Sequence, residues 1–75
     1  MTFVLDVFDS EGDSTSRSFK TLAGAVQAGI RALEKQGFRP YGYQAPNRYE
    51  GEGQSRRHIV AEWKDRGRQL ARVWT

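Results

Sequence analysis

The sequence contains no cysteine, a single histidine and no run of apolar residues long enough to cross a membrane. Without cysteine the chain forms no disulfide, no thiolate metal site and no thiolate nucleophile. The histidine, His58, follows Arg56 and Arg57 and has no serine or carboxylate at a spacing typical of a catalytic group. We therefore expect a protein that is not an enzyme and that carries no cofactor.

The N-terminal residues, MTFVLDVFDS, lack the basic segment and the long apolar core of a signal peptide. Since no apolar span approaches the roughly 20 residues that cross a bilayer, we expect a cytoplasmic protein. The length of 75 residues predicts a single domain, 1–75. A chain of this size buries only about 60 to 65% of its unfolded surface, so we expect no large enclosed pocket.

One acidic segment has the spacing of a calcium loop but not its remaining ligands. Asp9, Glu11 and Asp13 occupy alternate positions, as the first ligands of an EF-hand do. Ser14 stands where that loop requires glycine, and Lys20 stands where it requires a bidentate glutamate. We therefore predict no metal site.

The N-terminal segment 2–8 has the alternation of a β-strand. Phe3, Leu5 and Val7 form its more apolar face, which we expect to contact a helix. The following segment 9–16 is rich in Asp, Ser and Gly, and we interpret it as a mobile surface loop.

A helix is predicted from about 22 to 36, with Thr21 as its N-cap. Gly37 is placed to adopt a left-handed conformation after the helix, and Phe38 is placed to pack back on Leu33. The apolar positions recur at helical spacing: Leu22, Ala25, Val26, Gly29, Ile30 and Leu33. This stripe predicts one buried face and one solvent face.

Residues 56–74 read as two alternating segments separated by a break at 65–67, the pattern of a β-hairpin. The break permits two registers, because the loop has either two or three residues. A three-residue loop pairs Ile59 with Val73 and places the two tryptophans on different faces.

A loop of two residues, 66–67, instead pairs Trp63 with Leu70. It also pairs Ile59 with Trp74, so that both tryptophans lie on one face. We favour this register because it gathers the larger apolar set on one side of the sheet.

Between the helix and the hairpin, the segment RPYGYQ at 39–44 predicts an edge strand with Tyr41 and Tyr43 on one face. The stretch 46–55, PNRYEGEGQS, reads as a flexible connection that exposes Tyr49. The order of elements predicts an α+β fold, in which one helix packs on one face of a mostly antiparallel sheet.

The net charge of +3 is unevenly distributed. Residues 1–37 contain four Lys/Arg and five Asp/Glu, whereas residues 38–75 contain eight and four, and seven of those eight cations are arginine. Arginine suits bidentate pairing with carboxylate or phosphate. The basic half is therefore the expected partner surface, and its candidate contact residues are Arg39, Tyr41, Tyr43, Arg48, Tyr49, Arg56, Arg57, Arg66 and Arg68.

Arginines interleaved with exposed aromatics are what a nucleic-acid surface requires, because they combine phosphate neutralisation with base stacking. RPYGY also resembles the aromatic strand of RNA-recognition motifs, although proline replaces the first glycine and glutamine replaces the valine that follows. The chain lacks that family's second helix. A small basic nucleic-acid-binding domain is thus one interpretation.

The C-terminal stretch VAEWKDRGRQLARVW, together with the order strand, helix, strands, resembles certain anti-CRISPR proteins of α/β type. That resemblance implies a phage protein that binds a Cas subunit of a type I complex stoichiometrically, so that target DNA cannot engage. No motif shared with that family assigns a role to any single residue. We expect a monomer or weak dimer. The arginine-rich face would then pair with acidic residues of a host protein, with tyrosines as anchors.

Overall fold

The described residues of this computed structural model, 1–39 and 43–75, form a sheet and one helix. In chain order the elements are β1 (Phe3–Phe8), β2 (Ser14–Phe19), α1 (Leu22–Lys35), β3 (Arg48–Glu50), a 3-10 turn (Gly53–Ser55), β4 (Arg57–Asp65) and β5 (Arg68–Trp74). Neighbouring strands are antiparallel in the order β2-β1-β5-β4-β3. The helix packs on one face of this sheet, against β1, β5 and β2. The α+β fold expected from the sequence is confirmed.

Strand β1 lies between β2 and β5 and contributes its odd-numbered face to the core. Leu5 and Val7 are buried in one apolar cluster with Val26 and Leu33 of α1, and Phe3 packs at the border of that cluster. The prediction that the odd-numbered side chains face the helix is confirmed. The even-numbered side chains therefore point to the side of the sheet away from α1, which we call the outer face.

Strand β2 begins inside the segment 9–16, which the sequence analysis interpreted as a loop, and that interpretation is wrong from Ser14 onward. The connection is a tight turn, in which the Asp9 side chain accepts hydrogen bonds from the backbone N–H groups of Glu11 and Asp13, both at 2.9 Å. From Ser14 the chain pairs residue by residue with β1. The strand gave no alternating signal because its residues are polar and exposed, apart from half-buried Phe19.

The helix has the termini that its sequence predicts. Thr21 Oγ1 accepts a hydrogen bond from the Gly24 N–H at 3.0 Å, which satisfies one of the free donors of the first turn. After the helix Gly37 has a φ of 91°. The Phe38 N–H then bonds to the Leu33 carbonyl at 3.0 Å, which closes a Schellman motif.

The β4–β5 turn has the two-residue loop that the sequence analysis favoured. Arg66 and Gly67 have φ angles of 52° and 82°, and Asp65 pairs with Arg68. A left-handed conformation at both loop positions is the type I′ turn, whose twist matches that of the flanking strands. The three-residue alternative is excluded.

The register beyond this turn differs from the prediction because the ladder has two irregularities. Trp63 pairs with Ala71, and not with Leu70, since Leu70 is an extra residue on β5. A second irregularity on β4, between Ile59 and Ala61, restores the predicted pairing of Ile59 with Trp74. A bulge of this kind changes which side chains share a face and leaves no mark in the alternation of the sequence.

The two tryptophans therefore lie on opposite faces of the sheet, and the prediction that they share one face is wrong. Trp63 belongs to the apolar cluster beneath the helix. Trp74 pairs with Val4 on the even-numbered side of β1, so it lies on the outer face. Ile59, its partner on β4, is fully buried but lies outside the cluster under the helix.

The edge strand next to β4 is β3, at Arg48–Glu50, within the stretch that the sequence analysis treated as a flexible connection. Of the predicted edge strand 39–44, residues 40–42 lie outside the described residues. Gln44 forms an isolated antiparallel bridge with Glu62, with both N–H to carbonyl distances at 2.8 Å. A strand as short as β3 carries too few residues to show an alternating pattern.

Gly29 allows α1 to approach the sheet. A Cβ placed there would lie 2.5 Å from Cη2 and 2.8 Å from Cζ3 of Trp63. Gly29→Ala would gain roughly 1 kcal/mol of helix propensity, but overpacking of this kind costs about 1–3 kcal/mol. We expect the variant to unfold at a lower denaturant concentration than the parent.

A double-mutant cycle tests whether Trp63 causes that loss. Phenylalanine lacks the outer ring that carries Cη2 and Cζ3, so in a Trp63→Phe background Gly29→Ala should cost much less or stabilise the domain. Equal costs of Gly29→Ala in the two backgrounds, measured by urea unfolding, would disprove the contact.

Candidate partner-binding site

Asp6 of β1 lies on the outer face and is only 6% exposed. Its carboxylate accepts hydrogen bonds from Ser16 Oγ at 2.6 Å, Arg72 Nε at 3.0 Å and Trp74 Nε1 at 2.8 Å. Burial alone would raise the pKa of Asp6. The three donors and the positive charge of Arg72 together outweigh that effect and lower the pKa below its usual value.

Glu62 is a second buried carboxylate on the same face, at 2% exposure. Arg48 Nη1 and Gln69 Nε2 each donate to it at 3.0 Å, and Lys64 Nζ lies 3.5 Å away. The hydrogen bond from Arg48 is the main reason that the pKa of Glu62 is lowered, against the opposing effect of burial. Arg48 also pairs with Glu50 at 2.8 Å, and the two carboxylates raise the pKa of the Arg48 guanidinium.

Arg72 connects Asp6 to the ion pairs around Arg48, because its Nε contacts Asp6 while its Nη1 lies 3.7 Å from Glu50. The network thus joins three carboxylates to three cations: Asp6, Glu50, Glu62, Arg48, Lys64 and Arg72. Its formal charges cancel. Arg48, which the sequence analysis placed at the partner surface, is therefore occupied within the domain.

The exposed aromatic group lies where β3 pairs with the start of β4. The Tyr49 ring, 56% exposed, stacks on His58 with centroids 4.5 Å apart and planes inclined by 15°. The Arg56 guanidinium lies 4.1 Å from the centroid of the same ring. His58 Nε2 is hydrogen-bonded to the Asn47 side-chain oxygen, which fixes the orientation of the imidazole.

A second cation–aromatic pair lies on the other face of the same strand end. The Arg57 guanidinium is 4.4 Å from the ring of Trp74. Arg57 is the cross-strand partner of Glu50, so the Arg57 side chain lies on the outer face, as Trp74 does. We call the combined group the edge cluster, and its members are Tyr49, Arg56, Arg57, His58 and Trp74. Three of these residues are among the contact residues predicted from the sequence. His58 and Trp74 are not among them, because their ring contacts depend on strand pairing.

The remaining predicted contact residues do not join the edge cluster. Arg66 lies in the β4–β5 turn, and the nine residues of β4 separate it from Arg56, a span of roughly 30 Å. Arg68, beside that turn, donates from Nη2 to the Asp9 carbonyl at 2.8 Å and so supports the β1–β2 connection.

Two further candidates lie near the end of the helix and the core. Arg39 is exposed. The Tyr43 ring is 5.9 Å from that of Trp63 and is 44% exposed, so it covers one side of the core. Tyr41 lies outside the described residues. The predicted surface therefore divides into the edge cluster, which has one cation–aromatic pair on each face of the sheet, and several separate side chains.

Comparisons with protein-family models, curated proteins and solved structures found no match for this chain. Within 1–39 and 43–75, no three His, Cys, Asp or Glu residues are grouped as metal ligands. The same ranges contain no helix of the length and apolarity that a membrane span needs.

The lowered pKa of Asp6 makes stability depend on pH. A carboxylate whose pKa is lower in the folded state stabilises the fold at pH values above its pKa in the unfolded chain, which is about 3.9 for Asp. This contribution is lost as the pH falls through the pKa of the folded state. We expect Asp6→Asn to cost about 1–3 kcal/mol at neutral pH, because buried donors lose a charged acceptor.

The difference in melting temperature between Asp6→Asn and the parent should then shrink as the pH is lowered below about 4. Asp13→Asn is the control, because it removes a carboxylate at an exposed position, and its melting temperature should stay close to that of the parent throughout the same titration. A pH-independent difference for Asp6→Asn would show that its charge contributes nothing.

Proposed function

We propose that this domain is a non-catalytic, protein-binding inhibitor, and that the edge cluster is its contact surface. The observation that carries the proposal is the placement of two guanidinium groups over aromatic rings, Arg56 over Tyr49 and Arg57 over Trp74. Stacking restricts an arginine side chain before it binds and so lowers the entropy cost of binding. Arginine, tyrosine and tryptophan are also the residues that dominate binding energy at protein interfaces.

The chemistry of the cluster favours an acidic protein surface as the partner. A guanidinium that lies over a ring still presents its N–H edges, which can form bidentate hydrogen bonds with a carboxylate. Tyr49 adds an exposed ring with a hydroxyl group. An interface of this kind combines apolar anchoring with charge pairing, and pairing of the two arginines with acidic residues would determine the orientation of the partner.

We further propose that the partner is a Cas subunit of a type I surveillance complex in the host cytoplasm, and that binding blocks target DNA. The proposed identity of the partner is supported by the resemblance of residues 60–74 to anti-CRISPR proteins of α/β type. Those residues form most of β4 and all of β5, the strands that hold Arg57 and Trp74. Strand β2, which precedes the helix, is an element that the resemblance did not include.

A pair of double variants tests the contact surface. Arg56→Ala/Arg57→Ala should weaken binding to a purified type I complex roughly tenfold or more, as expected for interface hot spots. Both side chains are exposed, so circular dichroism and thermal melting should match the parent. The measurements are the affinity for the complex and the inhibition of target-DNA engagement in a mobility-shift assay.

Arg39→Ala/Arg66→Ala is the matched control, since it removes the same charge from exposed positions outside the edge cluster. It should retain the affinity and the inhibition of the parent domain. Equal losses in the two double variants would reject the edge cluster as the contact surface. Failure of the parent to bind type I complexes of any subtype would reject the proposed partner.

Nucleic-acid binding is the second candidate, because Arg56 and Arg57 lie beside an exposed tyrosine. However, the Tyr49 ring already stacks on His58 and Arg56, and base stacking needs a free aromatic face. Arg48 and Arg72 are paired with carboxylates and add little to phosphate binding. These contacts favour the protein partner.

Salt dependence separates the two candidates. We expect the isolated domain to bind oligonucleotides weakly at physiological salt. For a nucleic-acid-binding domain, log K would fall linearly with the logarithm of the salt concentration, with a slope of about 0.7 to 0.9 for each phosphate neutralised. Submicromolar and steeply salt-dependent binding, measured by fluorescence anisotropy, would overturn the inhibitor proposal.

A further inference from the structure

Strand β2 forms the edge of the sheet opposite β3, and its outer side is open. All six of its residues pair with β1 without a bulge, and five of them are exposed. Alternate residues of an edge strand direct their N–H and carbonyl groups away from the sheet, where another chain can pair with them. No described segment occupies that position. The strand contains no proline, and its one charged residue is Arg17, so it lacks the usual protection of a free edge.

A groove of about 690 Å³ runs between β2 and α1. Its apolar lining comes from Phe19 of β2 and from Ala23, Gly24, Ala28 and Ala32 of the helix. Three of the helical residues are spaced four apart, so they lie along one side of the helix. Because they are small, that side of α1 leaves room for side chains of another molecule.

The rim of this groove is cationic. Arg17, Arg31 and Lys35 line it, and none of them forms an ion pair with a carboxylate of the described chain. The Arg17 guanidinium is held 5.1 Å from the centroid of the Phe19 ring. The groove therefore combines an apolar floor and the polar side chain of Gln27 with three like charges that have no internal counter-charge.

We propose that β2 and this groove form a binding site for an extended acidic peptide, which adds to the sheet as a sixth strand. The peptide backbone would pair with the free edge of β2, as in β-augmentation. Side chains on one face of the peptide would enter the groove, where small apolar groups meet the floor and carboxylates meet the rim.

The dimensions of the groove agree with a peptide in this conformation. The lining residues of α1 extend from Ala23 to Lys35, roughly 18 Å along the helix axis. The six residues of β2 span about 20 Å. Arg31 and Lys35 are roughly 6 Å apart along the helix, close to the spacing of about 7 Å between side chains on one face of a strand.

Charge also argues against a second copy of this chain as the occupant. Antiparallel pairing of β2 with itself across a two-fold axis would place both helices on the same side of the joined sheet. The two cationic rims would then face each other, which is unfavourable. This site lies at the edge opposite β3 and the edge cluster, so it does not depend on the proposed function.

Fluorescence anisotropy with a labelled peptide of alternating glutamate and valine tests the proposal. The domain should bind this peptide and should not bind the matching lysine–valine peptide. Methylation of alternate backbone nitrogens keeps the side chains but removes strand hydrogen bonds, and should reduce the affinity by about tenfold or more. Hydrogen exchange at β2 amides should slow when the unmodified peptide is added.

Arg31→Glu should reduce the affinity for the acidic peptide by about tenfold. Arg66→Glu is the matched control, because it makes the same charge change at an exposed turn outside the groove, and it should change the affinity less than about twofold. Equal losses in both variants, insensitivity to N-methylation, or no binding of the acidic peptide would each overturn the proposal. Preference for a single-stranded oligonucleotide, or dimerisation through β2, would overturn it equally.

Discussion

The hydrogen-bonded ion pair between Asp6 and Arg72 is the interaction on which the sheet most depends. It joins β1 to β5, and the Ser16 and Trp74 side chains that donate to the same carboxylate extend it across three strands. A buried carboxylate without these donors would carry a desolvation cost of several kcal/mol. The register of the three strands is therefore fixed on the outer face by charge and hydrogen bonding, and on the helix face by apolar packing.

The two faces of the sheet use different chemistry because a single helix covers only one of them. Beneath α1, Leu5, Trp63 and Val73 form a packed apolar layer, and Gly29 permits the close approach of the helix. On the outer face, buried carboxylates are covered by the long arginine, lysine and glutamine side chains that bind them. The cations in the middle of the outer face are therefore paired with carboxylates of the domain itself. The cations that remain available to a partner lie at the edges of the sheet.

Several features could be predicted from the sequence because they have local causes. The N-cap Thr21, the Gly37 termination and the 66–67 turn each follow from a residue with a specific backbone or hydrogen-bonding preference. Strand β2 could not be predicted, since an exposed polar edge strand has no buried face to give it a period. The bulges could not be predicted either, and they placed Trp74 on the outer face and into the edge cluster. The pairing of Arg48 with Glu62 depends on how β3 lies against β4, so the sequence alone does not show that Arg48 is engaged within the domain.

The position of β5 has a consequence for the order in which the domain folds. The last strand of the chain lies in the middle of the sheet, between β1 and β4, and pairs with the first strand through contacts such as Val4 with Trp74. These contacts join residues from opposite ends of the sequence, and contacts of such long separation slow the search for the native state. During synthesis β1 and β2 can form a hairpin early, but the core beneath the helix stays incomplete until β5 arrives. Until then, the edges of β1 and β4 that later pair with β5 would remain without partners, which makes the pairing of β5 the step that protects this domain from misassembly.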